Sequence, residues 1–360
     1  MKEIKAIQVE HISSKDVPAG ARIYDHTALS AVNTCPTWGI IRYGLHKTMP
    51  GSSRAMALEA GEAAHEAFAA IRWYQFRYKQ ANSPTLLKAA ENQGIRLFGA
   101  ERFERMLSVL DSNAFERTNL INFAIEALTS SGYYDSADDK RRTTTNISES
   151  LIAYVDQFDM DRFPLWIRDK DDPNTDIGIE IPFCVRVTIN EEDDCTDSQY
   201  VLYLSGKMDG LAYRKDKLFI DENKTGARLD DSWLAQWQLS HQITGYCVAA
   251  ATFTKQNCDN ARVIGMRIPL GKIPHEGIRY EEVNRTTEQY LDWARWLLHT
   301  TSMIENNIKN PLSAPMYTHS CNRYFRACSF LPLCTANKEE REKILEEMTT
   351  DEWSPLNETI

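Results

Sequence analysis

The stretch GKMDGLAYRKDKLFIDENKTG, residues 206–226, constrains the fold more than any other part of the chain. Apolar residues run on either side of Lys215-Asp216, as two strands joined by a tight turn require. With the turn centred there, Arg214 faces Lys217, and the same register sets Asp209 opposite Glu222. Two carboxylates facing each other across a strand pair stand about 5 Å apart and repel, which destabilises a sheet unless something positive lies between them. A divalent cation removes that penalty. By the period of two, Glu222 and Lys224 share a strand face with Leu218 and Ile220, so the apolar face ends in a carboxylate and an amine. Spacing alone leaves two readings open. One is a metal site at the end of a core strand; the other is a solvated salt-bridge edge with a slipped register, since Lys-Asp is a poor two-residue turn.

Around this hairpin the chain changes character. From about Asp25 to Leu128 apolar positions recur at three and four, and Ala, Leu and Glu abound, which predicts several helices. Residues 129–147, SSGYYDSADDKRRTTTNIS, are small, polar and charged, and read as a surface loop or partly disordered linker. A short helix is expected near residues 148–160. After Pro173 come strand-like segments at 177–189, 200–214 and 217–225. A long helix from about Asp231 to Thr252, a strand near 261–270 and a helix from Thr286 to about Asn307 complete the pattern. Strands wrapped by helices in this order predict an α/β core with a helical insertion.

With 42% hydrophobic and 26% charged residues over 360 positions, the chain can bury one large core or two moderate ones. No apolar run approaches the roughly 20 residues of a membrane helix, so no membrane role is expected. A net charge of -10 gives no global attraction to nucleic acid, so a phosphate-binding surface must be a local patch or rely on bound cations. The first residues, MKEIKAIQVE, carry an early acid and no apolar targeting stretch, which makes a reducing cytosol the expected home. There, clustered cysteines more often bind metal or do chemistry than form disulfides. CNRYFRACSFLPLC, residues 321–334, places Cys321, Cys328 and Cys334 in a C-x6-C-x5-C spacing. Cys184, Cys195, Cys247 and Cys258 have no ligand spacing and read as buried or incidental thiols. RWYQFRYK, residues 72–79, interleaves bases and aromatics as single-strand binders do, although a helical core-and-rim pattern explains it equally well.

Residues 206–226 resemble the core of the PD-(D/E)XK nuclease superfamily, in which an aspartate and then an acid-x-lysine on the next strand hold the catalytic metal. Asp209 and Glu222-Asn223-Lys224 fill those positions. The resemblance is closer to the RecB-like branch, whose members carry G-x-x-x-H on an early helix and Q-x-x-x-Y on the helix after the lysine. Gly61 to His65 and Gln242 to Tyr246 supply both, in the right order. Iron-sulfur members, including the AddB type and the CRISPR-associated RecB-family exonucleases, take one cysteine near the N-terminus and three after the nuclease core. Ser30-x4-Cys35-Pro36 is similar to that N-terminal element.

The resemblance implies an α/β fold: a restriction-endonuclease-like core with a mixed central sheet flanked by helices, plus a helical N-terminal part and an iron-sulfur region. The expected divisions are 1–170, carrying Cys35 and His65, then 171–310 as the nuclease core and 311–360 as the cysteine segment and tail, all in one integrated domain. It implies metal-dependent phosphodiester hydrolysis, with Asp209, Glu222 and Lys224 catalytic and with Mg²⁺ or Mn²⁺ held by His65, Asp209, Glu222 and the Asn223 carbonyl. A histidine ligand leans the site toward Mn²⁺. Lys224 orients water or stabilises charge on the phosphate; neighbouring carboxylates oppose the lowered pKa that a base would need. Gln242 and Tyr246, four apart on one helix and preceded at the same interval by Gln238, would lie along the nucleic-acid strand. Glu180 matches an acidic position often found before the core aspartate, without an assigned role. Thiolates alone fit tetrahedral zinc or a cubane cluster, and the resemblance favours a [4Fe-4S] cluster on Cys35, Cys321, Cys328 and Cys334. Such ligation would tether distant segments, an effect of roughly 5 kcal/mol by loop-closure entropy.

The implied activity is that of a single-strand DNA exonuclease in recombination, repair, phage replication or CRISPR spacer processing, in a bacterial, archaeal or phage-infected cytosol. No helicase phosphate loop occurs in the sequence, so any ATP-driven unwinding would belong to a partner, a helicase or recombination protein. The alternative is a nonhydrolytic DNA-binding or assembly subunit that keeps the fold and cluster.

Overall fold

Strand β1 (Glu3–His11) and the short β2 (Ile23–Tyr24) precede helices α1 (His26–Thr34) and α2 (Pro36–Gly39) and the two-residue β3 (Lys47–Thr48). Five helices follow: α3 (Met56–Lys79), α4 (Pro84–Phe98), α5 (Ala100–Ser108), α6 (Arg117–Thr129) and α7 (Thr144–Gln157). Strands β4 (Ile179–Glu192), β5 (Asp197–Arg214) and β6 (Lys217–Gly226) lead into α8 (Asp231–Ala235) and α9 (His241–Thr254). Then come β7 (Asn260–Arg267), β8 (Ile278–Asn284), α10 (Thr287–Asn307), β9 (Asn322–Arg323), β10 (Arg326–Ala327), α11 (Leu331–Thr335), α12 (Lys338–Glu347) and β11 (Thr349–Thr350). The structure is a computed structural model that describes residues 3–50, 56–111, 114–158, 163–192, 197–270, 277–323 and 326–350. Cys195 and residues 351–360 of the expected C-terminal segment lie outside the described residues. The fold is mixed α/β, with a central mixed sheet flanked by helices.

Two compact units form, each from non-consecutive segments: Arg54–Ile181 with Lys207–Thr286, and Met1–Ser53 with Pro182–Gly206 and Thr287–Ile360. In the first, the end of β5 pairs antiparallel with β6, β6 pairs parallel with β7, and β7 pairs antiparallel with β8. A parallel pair needs a crossover, which α8 and α9 provide. The hairpin takes the register read from the sequence over its described pairs, Arg214↔Lys217, Tyr213↔Leu218, Ala212↔Phe219 and Leu211↔Ile220. Its turn residues Lys215 and Asp216 both hold left-handed backbone, φ 48° and 63°. That conformation matches the twist of the strands even though neither residue favours it.

The helical layer explains RWYQFRYK. Alanines 60, 63, 64, 67 and 70 recur at three and four along α3, are all buried, and leave room for close packing of neighbouring helices. Trp73 stacks on Phe123 and meets Phe103 edge-on, both with ring centroids 5.0 Å away, and donates to the Ala90 carbonyl at 2.6 Å. Arg72 through Phe76 are all buried, so this stretch is core. Residues between α6 and α7 form an ordered loop rather than a disordered linker. The Asp139 carboxylate accepts from the Arg141 and Arg142 N–H groups at 3.0 and 3.1 Å, and Asp135 accepts from Thr144 at the start of α7.

The expected single helix over Asp231–Thr252 is broken. A 3-10 turn over Gln236–Leu239 follows α8, and Ser240, in extended conformation, starts α9 afresh. Gln238 therefore lies off the helix that carries Gln242 and Tyr246.

In the second unit β1 pairs antiparallel with β4, and β2 runs parallel to β5. A register shift between Ile4 and Ala6 lets buried Ile4 and the partly buried Ile7 and Val9 share one face despite their uneven spacing. β3 pairs with β11, and β9 with β10. Among the described residues no helix is long and apolar enough to cross a membrane.

Candidate active site

Asp209 within β5 and Glu222 within β6 carry the acidic groups, and α3 brings a histidine to them. His65 Nδ1 stands 3.3 Å from Asp209 Oδ1, and the other Asp209 oxygen accepts from the Asn223 backbone N–H at 2.7 Å. Gly210 permits this approach of the strands: a Cβ there would lie 2.9 Å from the Asp221 carbonyl. Lys224 donates to one Glu222 oxygen at 2.6 Å. The other Glu222 oxygen is buried and has no hydrogen-bond partner among the described residues.

Glu180 completes the arrangement. One ligand atom from each of His65, Glu180 and Asp209 lies within 4.8 Å of the others. Lys207, two residues before Asp209 on β5, pairs with Glu180 Oε2 at 2.7 Å. Glu180 holds φ 49°, a conformation that side chains disfavour. Just upstream, Gly178 is so close to β5 that a Cβ would fall 2.0 Å from the Leu211 carbonyl. This pinched start of β4 directs Glu180 toward Asp209 and His65.

Electrostatics show strain among the acids. Burial, then the Asp209 charge, pushes the Glu222 carboxyl up to about 7, against the pull of Lys224. Burial likewise raises Glu180, with Lys207 opposing. Asp209 moves down although burial opposes it, because His65, Lys224 and the Asn223 N–H favour its charge. Burial works against the Lys224 ammonium, but Glu222 and Asp209 outweigh it and raise the amine above its ordinary value. Lys224 is therefore a cation, suited to orienting water or holding phosphate charge rather than to acting as base. His65 is also raised, Asp209 and Glu180 outweighing burial.

Of the residues singled out in the sequence, His65 and Asp209 meet directly, Asn223 bonds Asp209 through its N–H, and Glu222 and Lys224 form a pair beside them. Gln242 donates to the Tyr246 hydroxyl at 3.0 Å, so these two act as one group on α9. Glu180 enters the acidic group more directly than its sequence motif implied. Two supporting residues went unread. Lys207 had a signal, the period of two from Asp209. Tyr154, whose hydroxyl donates to the Asn223 side-chain oxygen at 2.6 Å, had none, because nothing in α7 marks it.

The donor set suits a hard divalent cation. It is rich in carboxylate oxygen with one imidazole, and it leaves an orphaned buried oxygen on Glu222. His65, Glu180 and Asp209 are the residues grouped to hold such an ion.

The four cysteines of the expected cluster all belong to the second unit. Cys35 is buried at the junction of α1 and α2, and Cys334 lies on α11. The Cys328 N–H donates to the Cys321 carbonyl at 2.8 Å, closing the β9–β10 hairpin. All four sulfurs are free thiols. Burial pushes Cys334 up to about 11, and the charges of Cys35, Cys328 and Cys321 add to the rise, which makes the four neighbours. Ile41, Phe330, Leu333 and Met348 form an apolar cluster on which Cys328 packs.

A family model described as the PD-(D/E)XK nuclease superfamily matches residues 26–335. No curated protein matches the chain.

Proposed function

The chain belongs to the PD-(D/E)XK nuclease superfamily, and from that membership we propose that it is a metal-dependent deoxyribonuclease acting from the ends of single-stranded DNA. The observation that carries the metal-dependent chemistry is the Glu222 carboxyl: displaced upward by burial and then by the Asp209 charge, with one oxygen on Lys224 and the other without a partner among the described residues. A purely structural core would not retain such a group. A Mg²⁺ or Mn²⁺ ion held by His65, Glu180 and Asp209, with Glu222 and the Asn223 carbonyl as further donors, would polarise the phosphodiester and acidify a water. Lys224, kept as a cation, aligns the attacking water and holds negative charge developing on the phosphate. Lys207 fixes Glu180, and Tyr154 fixes the Asn223 side chain, so the donors are preorganised. Gln242 and Tyr246 contact the strand as a bonded pair.

In the same reading Cys35, Cys321, Cys328 and Cys334 hold a [4Fe-4S] cluster with a structural role. Support comes from four cysteines outside any disulfide, with Cys35, Cys328 and Cys321 near enough to Cys334 to raise its thiol and with Cys328 packed on an apolar cluster. Four thiolates alone fit tetrahedral zinc or a cubane cluster, and the choice of iron rests on the sequence resemblance.

Cleavage of end-labelled linear and of circular single-stranded DNA, each with Mg²⁺, Mn²⁺ or EDTA, tests the activity. Linear strands shortened from an end, circles left intact and full inhibition by EDTA are expected. Cut circles would overturn the end requirement, and strand binding without cleavage under any metal would favour an assembly subunit.

A further inference from the structure

Arg285 follows β8 and is 3% exposed, and its guanidinium is directed at the turn that leads into α9. Nε donates to the Thr244 hydroxyl at 2.9 Å, Nη1 to the Gln238 carbonyl at 3.1 Å, and Nη2 to the carbonyls of Trp237 and Ser240 at 2.9 and 3.2 Å. Its own N–H donates to the Asp259 carbonyl at 2.8 Å, anchoring it beside the start of β7. The Thr244 hydroxyl passes the network on by donating to Ser240 O at 3.2 Å.

The Trp237 carbonyl also accepts from the Ser240 N–H at 3.3 Å and the Ser240 carbonyl from the Thr244 N–H at 3.1 Å, so the guanidinium adds a second donor to these two and pairs the Gln238 carbonyl, joining three successive parts of the turn. A guanidinium satisfies several at once because its donors are fixed in one plane; an ammonium is a single point with freely rotating donors. The segment Trp237–Ser240 is therefore held as a rigid elbow rather than a flexible joint. Two residues beyond it lies Gln242, bonded to Tyr246 one helical turn on.

We propose that Arg285 is a positioning residue for strand recognition: by locking the Trp237–Ser240 elbow it presents Gln242 and Tyr246 as a preformed pair to single-stranded nucleic acid. This builds on the nuclease reading of the site. Because Arg285 acts through α9 and not through the acidic residues, its loss weakens strand binding and leaves metal binding and the chemical step in place.

The test compares wild type, Arg285→Lys, Thr244→Val and Gln242→Ala, together with Arg285→Lys combined with Gln242→Ala. Strand affinity is measured with Ca²⁺, cleavage at saturating strand with Mg²⁺, Mn²⁺ affinity by titration calorimetry, and amide exchange without nucleic acid. Arg285→Lys is expected to weaken strand binding about tenfold, with Thr244→Val in the same direction but smaller, as loss of one or more charge-assisted hydrogen bonds implies. Saturated cleavage and Mn²⁺ affinity stay near wild type. The Arg285→Lys effect largely disappears when Gln242 is already alanine. Exchange quickens at 241–246 and not in β6 or β7. Unchanged strand affinity in the folded Lys variant, or a full effect persisting without Gln242, would overturn the assignment. If the wild type neither binds nor cuts a strand, the nuclease reading itself fails, and unchanged exchange at the elbow would refute the locking role independently.

Discussion

Glu180 shows how a functional side chain is bought by its backbone. Left-handed φ costs a residue with a side chain on the order of 1 kcal/mol or more, and the surrounding chain must over-determine it. Gly178 is part of that constraint, since only a residue without Cβ fits against the Leu211 carbonyl. Gly178→Ala is therefore expected to destabilise the protein by roughly 3 kcal/mol or more, read as a lowered midpoint in thermal or urea unfolding. An unchanged midpoint would show that β4 can shift freely. Glu180→Gln keeps the shape and removes the charge. It should weaken Mn²⁺ binding by at least about tenfold in a calorimetric titration while leaving the metal-free protein as stable as wild type. Equal Mn²⁺ affinity would remove Glu180 from the ligand set.

The β5–β6 hairpin carries all three catalytic candidates, Asp209, Glu222 and Lys224, and its turn can be improved without touching them. Lys215 and Asp216 both occupy the left-handed region, which asparagine and glycine adopt more readily. Replacing them with Asn-Gly should stabilise the fold by about 0.5–1 kcal/mol and leave cleavage unchanged. Loss of stability would mean that these side chains do more than turn the chain. This hairpin was legible in the sequence because a period of two and a turn fix the whole register once one pair is known. Asp209, Glu222 and Lys224 were legible with it. The break at Ser240 was not, because helix propensity continues through QWQLSHQ and the groups that interrupt it come from Arg285, far along the chain. β1 was equally hidden: its apolar residues lose their alternation at the bulge, so the pattern resembles neither strand nor helix.

At the scale of the whole molecule, both compact units are assembled from separate stretches, and β4 and β5 each pass from one to the other without any linker. No shift in composition marks such a boundary, which is why sequence divisions by residue range follow chain order instead. The second unit gathers Cys35 with the distant Cys321, Cys328 and Cys334, so a shared cluster would tether both ends of the chain. Protein purified without oxygen should be brown and carry close to four irons, as expected of a [4Fe-4S] cluster, and Cys328→Ala should lose iron and unfold at lower temperature. Stoichiometric zinc would replace that assignment. If phosphodiester cleavage takes place at Asp209, Glu222 and Lys224, removing any of these side chains must slow it. The most direct measurement is the single-turnover rate on end-labelled single-stranded DNA with Mg²⁺ for wild type, Asp209→Ala, Lys224→Ala and the double variant. Each single change should slow cleavage by about a thousandfold or more, the double little further, with folding retained. Wild-type rates in either folded variant would place the chemistry elsewhere.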